Sequence, residues 1–225
     1  MRKKNKISFS SESTSNYPII IDGETEKWYF EMLKKNEPSL NIKIKPELSN
    51  KKSIEEQYNL AIKLVNEEYS KVFWIIDLDV IIKETKECKK NKEKPIDTLS
   101  NYIDSIISNE NYKDKVVIII NNPCLELWIL LHYNFTTKSY NNCKELTSDL
   151  KKYLSDYSKK EIYYKKKGND IYFRLKDKLE NAIANSKSLG QFDKENYIKS
   201  ISEMWKFFDT EPIKTYFQSK ITINN

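Results

Sequence analysis

The chain has 225 residues, 39% hydrophobic and 32% charged, with 39 Lys and Arg against 33 Asp and Glu and a formal net charge of +6. That length can bury a full core, and no apolar run approaches the roughly 18 residues of a membrane span, so a soluble, cytoplasmic domain is expected. Three cysteines, an odd number without close pairing, and one histidine give no zinc-ligand spacing; the cysteines are read as reduced and intracellular.

Met1–Lys4 is basic and is followed by Ser/Thr-rich sequence rather than an apolar signal core, so residues 1–16 read as a tail. Ile19-Ile20-Ile21 then forms a short apolar run of the kind a buried strand uses. It breaks at Asp22-Gly23 and enters a helical pattern from Glu24 to about Lys35, carrying Trp28, Phe30, Met32 and Leu33. Asn41–Lys45 alternates polar and apolar as an edge strand does. A helix starts at Ser53, with Glu55 and Glu56 in its first turn, and runs to near Tyr69.

Val72–Ile76 reads as the central strand and ends at Asp77-Leu78-Asp79. Lys83–Lys94 shows no apolar period and reads as an exposed loop or frayed helix, and Ile96–Ser108 reads as a helix. Val116–Ile120 is a further buried strand ending at Asn121-Asn122, with Pro123 as the expected first residue of a helix through Tyr133. Strands alternating with helices predict a mainly parallel sheet of about four strands flanked by helices, an α/β core over 17–134. Helices are expected at Cys143–Tyr157, Asp170–Ser186 and Lys194–Asp209, making 135–225 a helical extension packed on the core.

Acids gather at the strand ends, where an open α/β sheet places its ligand crevice. Asp77 and Asp79, two apart on an extended strand, point the same way and can reach one cation; a carboxylate pair with water is how Mg²⁺ is usually held. The alternative is one capping residue and one exposed acid. Glu24 is read as an acid favouring its helix's positive end, whereas Asp22 and Glu26, one helical entry apart, could both face the crevice; the plainer reading makes Glu26 a helix-end charge and Asp22 a turn residue. Glu126 opens an otherwise apolar helix and needs solvent, a helix-end amide or a metal. His132 lies about 240° further round that helix and is read as structural.

Residues 18–33, 72–79 and 116–133 resemble the RloB-like family, whose members carry a Toprim-type α/β fold. The matching stretches are IIIDGETEKWYFEML, VFWIIDLD and NNPCLELWILLHY, with a weaker match at Tyr164-Lys165-Lys166, Ile171-Tyr172 and Leu175. The resemblance implies a metal-dependent phosphodiesterase site shared with topoisomerase-primase domains and overcoming-lysogeny-defect nucleases. It places a general acid/base at Asp22 and Mg²⁺ (or Mn²⁺) ligands at Asp77 and Asp79, with Glu26 and Glu126 as further catalytic acids and Asp22 and Glu26 as further ligands. The family usually has Glu where this chain has Asp22, a side chain one methylene shorter.

The resemblance also implies a role in anti-phage defence by abortive infection, beside an ABC/SMC-like ATPase partner. This chain has no G-x-x-x-x-G-K-[ST] and only three glycines, so nucleotide hydrolysis belongs to that partner. The substrate is expected to be nucleic acid, RNA such as tRNA or DNA. Lys165, Lys166, Lys167 and Arg174, interleaved with Tyr163-Tyr164, are the candidate contacts; a solvated lysine-rich surface and a structural ion pair at Arg174 are the plainer readings. Arginine is otherwise found only at Arg2, and abundant Lys, Asn and Ile fit an AT-rich genome as well as a polyanionic partner. A homodimer is compatible with all of this. The rival reading is a non-catalytic Toprim-like module that binds the ATPase or nucleic acid.

Overall fold

The computed structural model describes residues 16–45, 52–67 and 69–224, so the expected tail lies almost wholly outside the described residues. The elements are β1 (Tyr17–Ile20), α1 (Glu24–Asn36), β2 (Ile42–Lys45), α2 (Ile54–Asn66), β3 (Val72–Asp77), α3 (Asp79–Glu87), α4 (Pro95–Ser108), β4 (Val116–Asn122) and α5 (Glu126–Leu131). They continue as α6 (Cys143–Leu150), α7 (Glu161–Tyr164), α8 (Ile171–Leu175), α9 (Leu179–Leu189), β5 (Ile201–Ser202), α10 (Trp205–Asp209) and α11 (Ile213–Asn224).

The sheet has the order β2-β1-β3-β4-β5, parallel except at β5. The chain leaves β1 for the β2 edge and returns to place β3 on the other side of β1. The carboxyl ends of β1 and β3 therefore flank a topological switch point, where open α/β sheets form their crevice. Successive residues of β3 serve opposite faces. Phe73 packs against Phe207, which also meets Phe30 of α1. Trp74 faces α2, where its Nε1–H donates to Gln57 Oε1 at 3.0 Å. Both rings are fully buried, and sheet and helices on both faces share one core.

α2 starts as expected, with a reciprocal capping box in which Ser53 accepts from the Glu56 amide and Glu56 accepts from the Ser53 amide. Four expectations are corrected. The supposed helix over Lys194–Asp209 holds a fifth, antiparallel strand, because buried Glu203 joins it to the sheet: its carboxylate accepts from the Ile120 and Phe192 amides and its own amide donates to Ile120 O. The helix expected over Asp170–Ser186 breaks into α8 and α9 around a 3-10 turn at Lys176–Lys178, and that expected over Cys143–Tyr157 stops at Leu150. The lysine-rich run divides between its two readings, helix as far as Glu87, where Thr85 turns inward and its Oγ1 accepts from the Ile96 amide, and loop beyond. Pro123 does not begin a helix; α5 starts at Glu126, its approach fixed by the Leu125 amide donating to Asp77 Oδ2 at 3.2 Å.

The cysteine reading is corrected too. Cys124 and Cys143, 19 residues apart in sequence, are joined as a disulfide, and Cys88 alone is free. Linear spacing hid the pair because the intervening loop folds α6 back onto α5.

Candidate active site

Asp22 follows β1 and is held from α2: Gln57 Nε2 donates to its Oδ1 at 3.0 Å, while Gln57 Oε1 accepts from Trp74. A relay thus runs from the buried sheet through Gln57 to half-buried Asp22. Asp22 and Gln57 also line, with Lys52, Ile76, Val80 and Glu84, a cavity of about 530 Å³ beside the switch point.

Asp77 closes β3, and its neighbour Asn121 on β4 donates from Nδ2 to Asp77 Oδ1 at 3.3 Å. Asn121 is itself oriented by β5, with Ser202 Oγ donating to Asn121 Oδ1 at 2.8 Å. The far end of the chain thereby reaches the site through one side chain. Burial pushes the Asp77 carboxyl well above the ordinary carboxylate range, and repulsion from Glu26, Glu126, Asp22 and Asp79 pushes it further. Every acid singled out in the sequence except Glu24 acts on this one group. Glu24 is exposed, in keeping with its reading as a helix-end charge.

Glu26 is 1% exposed, and its carboxyl rises to about 7 through burial and repulsion from Glu126. It accepts a hydrogen bond from Thr25 Oγ1 at 3.1 Å, and its backbone together with the Asp77 and Thr25 side chains offsets part of the rise. Gly23 permits this placement. Its backbone is extended, with φ −143°, but a Cβ there would stand 2.7 Å from Glu26 Oε2.

Asp79 departs from expectation. β3 ends at Asp77 and Leu78 is already helical, so two-residue strand alternation no longer orients Asp79 beside Asp77. Its Oδ1 accepts from the Val80 amide at 2.7 Å, and its Oδ2 lies 3.3 Å from Cys143 Sγ.

Glu126 is fully buried, and its partners come from beyond the α/β core: Oε1 is hydrogen-bonded, while Oε2 has a cation nearby but no hydrogen bond. Tyr157 donates its hydroxyl to Oε1 at 2.6 Å and lies 2.7 Å from the Tyr164 hydroxyl, while the Lys159 ammonium sits 3.0 Å from Oε2. Burial alone would lower the Lys159 ammonium, but Glu126, with Asp77 and Glu26, holds it above its ordinary value. The one signal for these partners was a Tyr/Lys cluster, and it pointed to stacking on bases rather than to packing. Gln57 carried a clearer mark: a polar residue on the face of α2 that otherwise carries Ile54, Ala61 and Val65.

The candidate nucleic-acid contacts divide. Arg174 forms a bidentate pair with Asp156 at 2.9 and 3.0 Å, donates to the Tyr163 hydroxyl and lies over its ring at 4.5 Å. Its fork is consumed within the fold, which corrects its assignment as a phosphate contact. Lys165 is paired to Glu31 and Glu161 at 2.5 and 2.6 Å, and Tyr163 and Tyr164 are buried and offer no stacking face. Lys166 and Lys167 are exposed. His132 is buried and structural as read, its Nδ1 2.9 Å from Trp128 O and its imidazole lowered to about 4 by burial.

The donor set around Asp77 suits a hard divalent cation. It is all carboxylate oxygen, and burial with mutual repulsion makes it a poor resting place for anions alone. A cation placed there would offset the repulsion that raises both Glu26 and Asp77. No three of these carboxylates form a close cage: among the described residues, the set of three ligand atoms all within 4.8 Å is Cys124, Glu126 and Cys143. Mg²⁺ needs no such cage, because it keeps several waters and uses one or two carboxylates.

Comparison with known proteins gives a match between residues 17–210 and the family model described as RloB-like protein. No curated protein and no solved structure matches the chain.

Proposed function

The chain belongs to the RloB-like family, and we propose that it is a Mg²⁺- or Mn²⁺-dependent nuclease with a Toprim-type site, hydrolysing phosphodiesters of nucleic acid. The observation that carries this reading is the half-buried Asp77 carboxyl that closes β3, held by Asn121 and the Leu125 amide, with Glu26, Glu126, Asp22 and Asp79 all acting on it at the switch point of a parallel sheet. Like charges collected at such a place cost stability, which a chain tolerates where a cation or a reaction uses them.

In this reading Asp77 and Glu26 hold the ion, with Asp79 or Asp22 adding a ligand. Bound there, Mg²⁺ polarises a phosphoryl oxygen and lowers the pKa of an attacking water. Asp22, steadied by Gln57 at the mouth of its cavity, moves the proton of the nucleophile or leaving group. Asn121 and the Leu125 amide fix the Asp77 carboxylate by one bond to each oxygen. Lys159 reduces the net negative charge around Glu126. Lys144, Lys151 and Lys159 line a cavity of about 450 Å³ next to Cys143, and exposed Lys166 and Lys167 add charge nearby in sequence; these are the groups for a phosphate backbone. RNA such as tRNA is the first substrate to test, the biological setting is anti-phage defence, and an ABC/SMC-like ATPase is the proposed controlling partner.

One observation favours the rival, a non-catalytic module that binds the ATPase or nucleic acid. The acids already have internal compensation, from the Lys159 ammonium 3.0 Å from Glu126. The test is cleavage of total RNA and of plasmid DNA in Mg²⁺ or Mn²⁺, with a parallel reaction that supplies an ATPase partner if one is encoded nearby. Wild type is compared with Asp77→Ala/Asp79→Ala. Metal-dependent cutting that falls at least ~10²-fold in the double variant supports the nuclease. A folded wild type that cuts neither substrate under any condition moves the assignment to the binding module.

A further inference from the structure

A second constellation adjoins the acids but has different chemistry. Cys124 lies between β4 and α5 and is buried, Cys143 is the first residue of α6, and Glu126 opens α5. One ligand atom from each lies within 4.8 Å of the others, and the Cys124 and Cys143 Cα atoms are 6.0 Å apart. Asp79 adds an oxygen 3.3 Å from Cys143 Sγ. A cluster of sulphur and carboxylate donors suits a thiophilic, four-coordinate ion, not Mg²⁺.

We propose that the reduced chain binds a thiophilic divalent cation of the Zn²⁺ class at Cys124, Cys143 and Glu126, and that oxidation to the disulfide abolishes the site. Opening the crosslink takes two electrons and two protons from a dithiol reductant, which itself becomes a disulfide; two thiols result. Binding then releases both thiol protons to solvent and leaves two thiolates on the ion.

Charge supports the assignment. Two thiolates and the Glu126 carboxylate carry three negative charges, which a divalent ion and the Lys159 ammonium, 3.0 Å from Glu126 Oε2, balance to zero. The support shell is already built. Tyr157 donates to Glu126 Oε1 at 2.6 Å, which leaves that oxygen a second lone pair, as metal-bound carboxylates usually have outer-shell donors. Access comes through the cavity of about 450 Å³, which touches Cys143 and Lys159. The fourth position belongs to water or to Asp79. This site shares Glu126 with the nuclease reading, and Asp79 where it is the fourth ligand, but does not depend on that reading.

The test uses the full chain, reduced with dithiothreitol, desalted without oxygen and titrated with Co²⁺ alone. One equivalent is expected to bring thiolate-to-cobalt charge transfer in the near ultraviolet with intense visible bands of tetrahedral cobalt, and Zn²⁺ should bleach both. The oxidised chain should show neither, and neither should Cys143→Ser, whose side chain is only partly buried. Tyr157→Phe should keep the bands with affinity weakened about 10-fold or more. The proposal is overturned if the reduced chain takes up Co²⁺ without sulphur charge transfer, or if that signal survives in Cys143→Ser. Because the readout is absorption in the absence of Mg²⁺ and substrate, a chain that never cuts nucleic acid can still pass, and an active nuclease can still fail.

Discussion

Helix α1 carries a buried carboxylate at each end, and the two meet opposite fates. At its start, Glu26 sits among other acids and rises to about 7. At its end, Glu37 is also buried, yet its carboxyl lies below the ordinary value: burial pushes it up, but hydrogen bonds from Lys220, Tyr172 and Tyr216 outweigh that. Glu37 draws together α1, α8 and α11 and is complete within the fold. Glu26 has no cation against it, and hydrogen bonds from its own backbone and from Thr25 do not outweigh its burial. Two buried carboxylates thus divide into one that organises packing, with a cation and two hydroxyls on it, and one packed among further acids, whose environment is finished by something added later. That contrast, more than any motif, distinguishes the candidate active site from the other polar clusters of the molecule.

The largest effect that can break the contrast is the pH dependence of stability with metal chelated. Glu26 titrates near 4.5 unfolded and about 7 folded, so the native state binds more protons in that window and its stability falls as pH rises. The contribution is fully present below 4.5 and is lost through about 7, a difference of about 3 kcal/mol. Glu37 has the opposite sign: its contribution stands above 4.5 and fades as pH falls through its lowered native value. Urea denaturation in EDTA should therefore show stability falling from pH 5 to pH 7, and Glu26→Gln should flatten that slope. Adding Mg²⁺ at pH 7 should restore stability in wild type and not in the variant. A flat wild-type profile would remove the argument that the acids repel one another.

Glu37 itself gives the next largest effect. Glu37→Gln removes the charge that Lys220 pairs with and leaves at most one good acceptor for two tyrosine hydroxyls. The expected cost is about 2 kcal/mol of unfolding free energy, with metal-dependent cleavage unchanged at a temperature where the variant is folded. A variant as stable as wild type, or one that is folded but inactive, would undo the distinction between the two ends of α1.

Much of this was legible in the chain. The Ile19–Ile21, Val72–Ile76 and Val116–Ile120 runs marked three strands because each is apolar, bounded and too short for a helix. Asp22, Glu26, Asp77 and Glu126 stood out because acids directly follow apolar strands or open an apolar helix. β5 was not legible: its two residues carry no alternation of their own, and the buried Glu203 that joins it to the sheet is a long-range effect. The meeting of Tyr157 and Lys159 with Glu126 was hidden for the same reason, since both come from beyond the α/β core and reach it only after folding. Arg174 misled through its rarity; scarcity says nothing about which anion it pairs with, and here it is Asp156.

The smallest expected effect isolates the placement of Glu26. Gly23 has no need of a left-handed conformation, so an alanine there fits the backbone without strain. What it cannot fit is the carboxylate, since its Cβ would lie 2.7 Å from Glu26 Oε2. A surface glutamate would swing aside, but Glu26 is enclosed, so the displaced oxygen must move relative to Asp77 within the same pocket. Gly23→Ala should accordingly leave the unfolding midpoint nearly unchanged and lower metal-dependent cleavage about tenfold, with the loss partly recovered at higher Mg²⁺. Full activity would mean that Glu26 does not need its observed position, and the ion would then be assigned to Asp77 with Asp79 or Asp22. Loss of fold would instead mean that the glycine serves the turn, and the role of Glu26 would rest on Glu26→Gln alone.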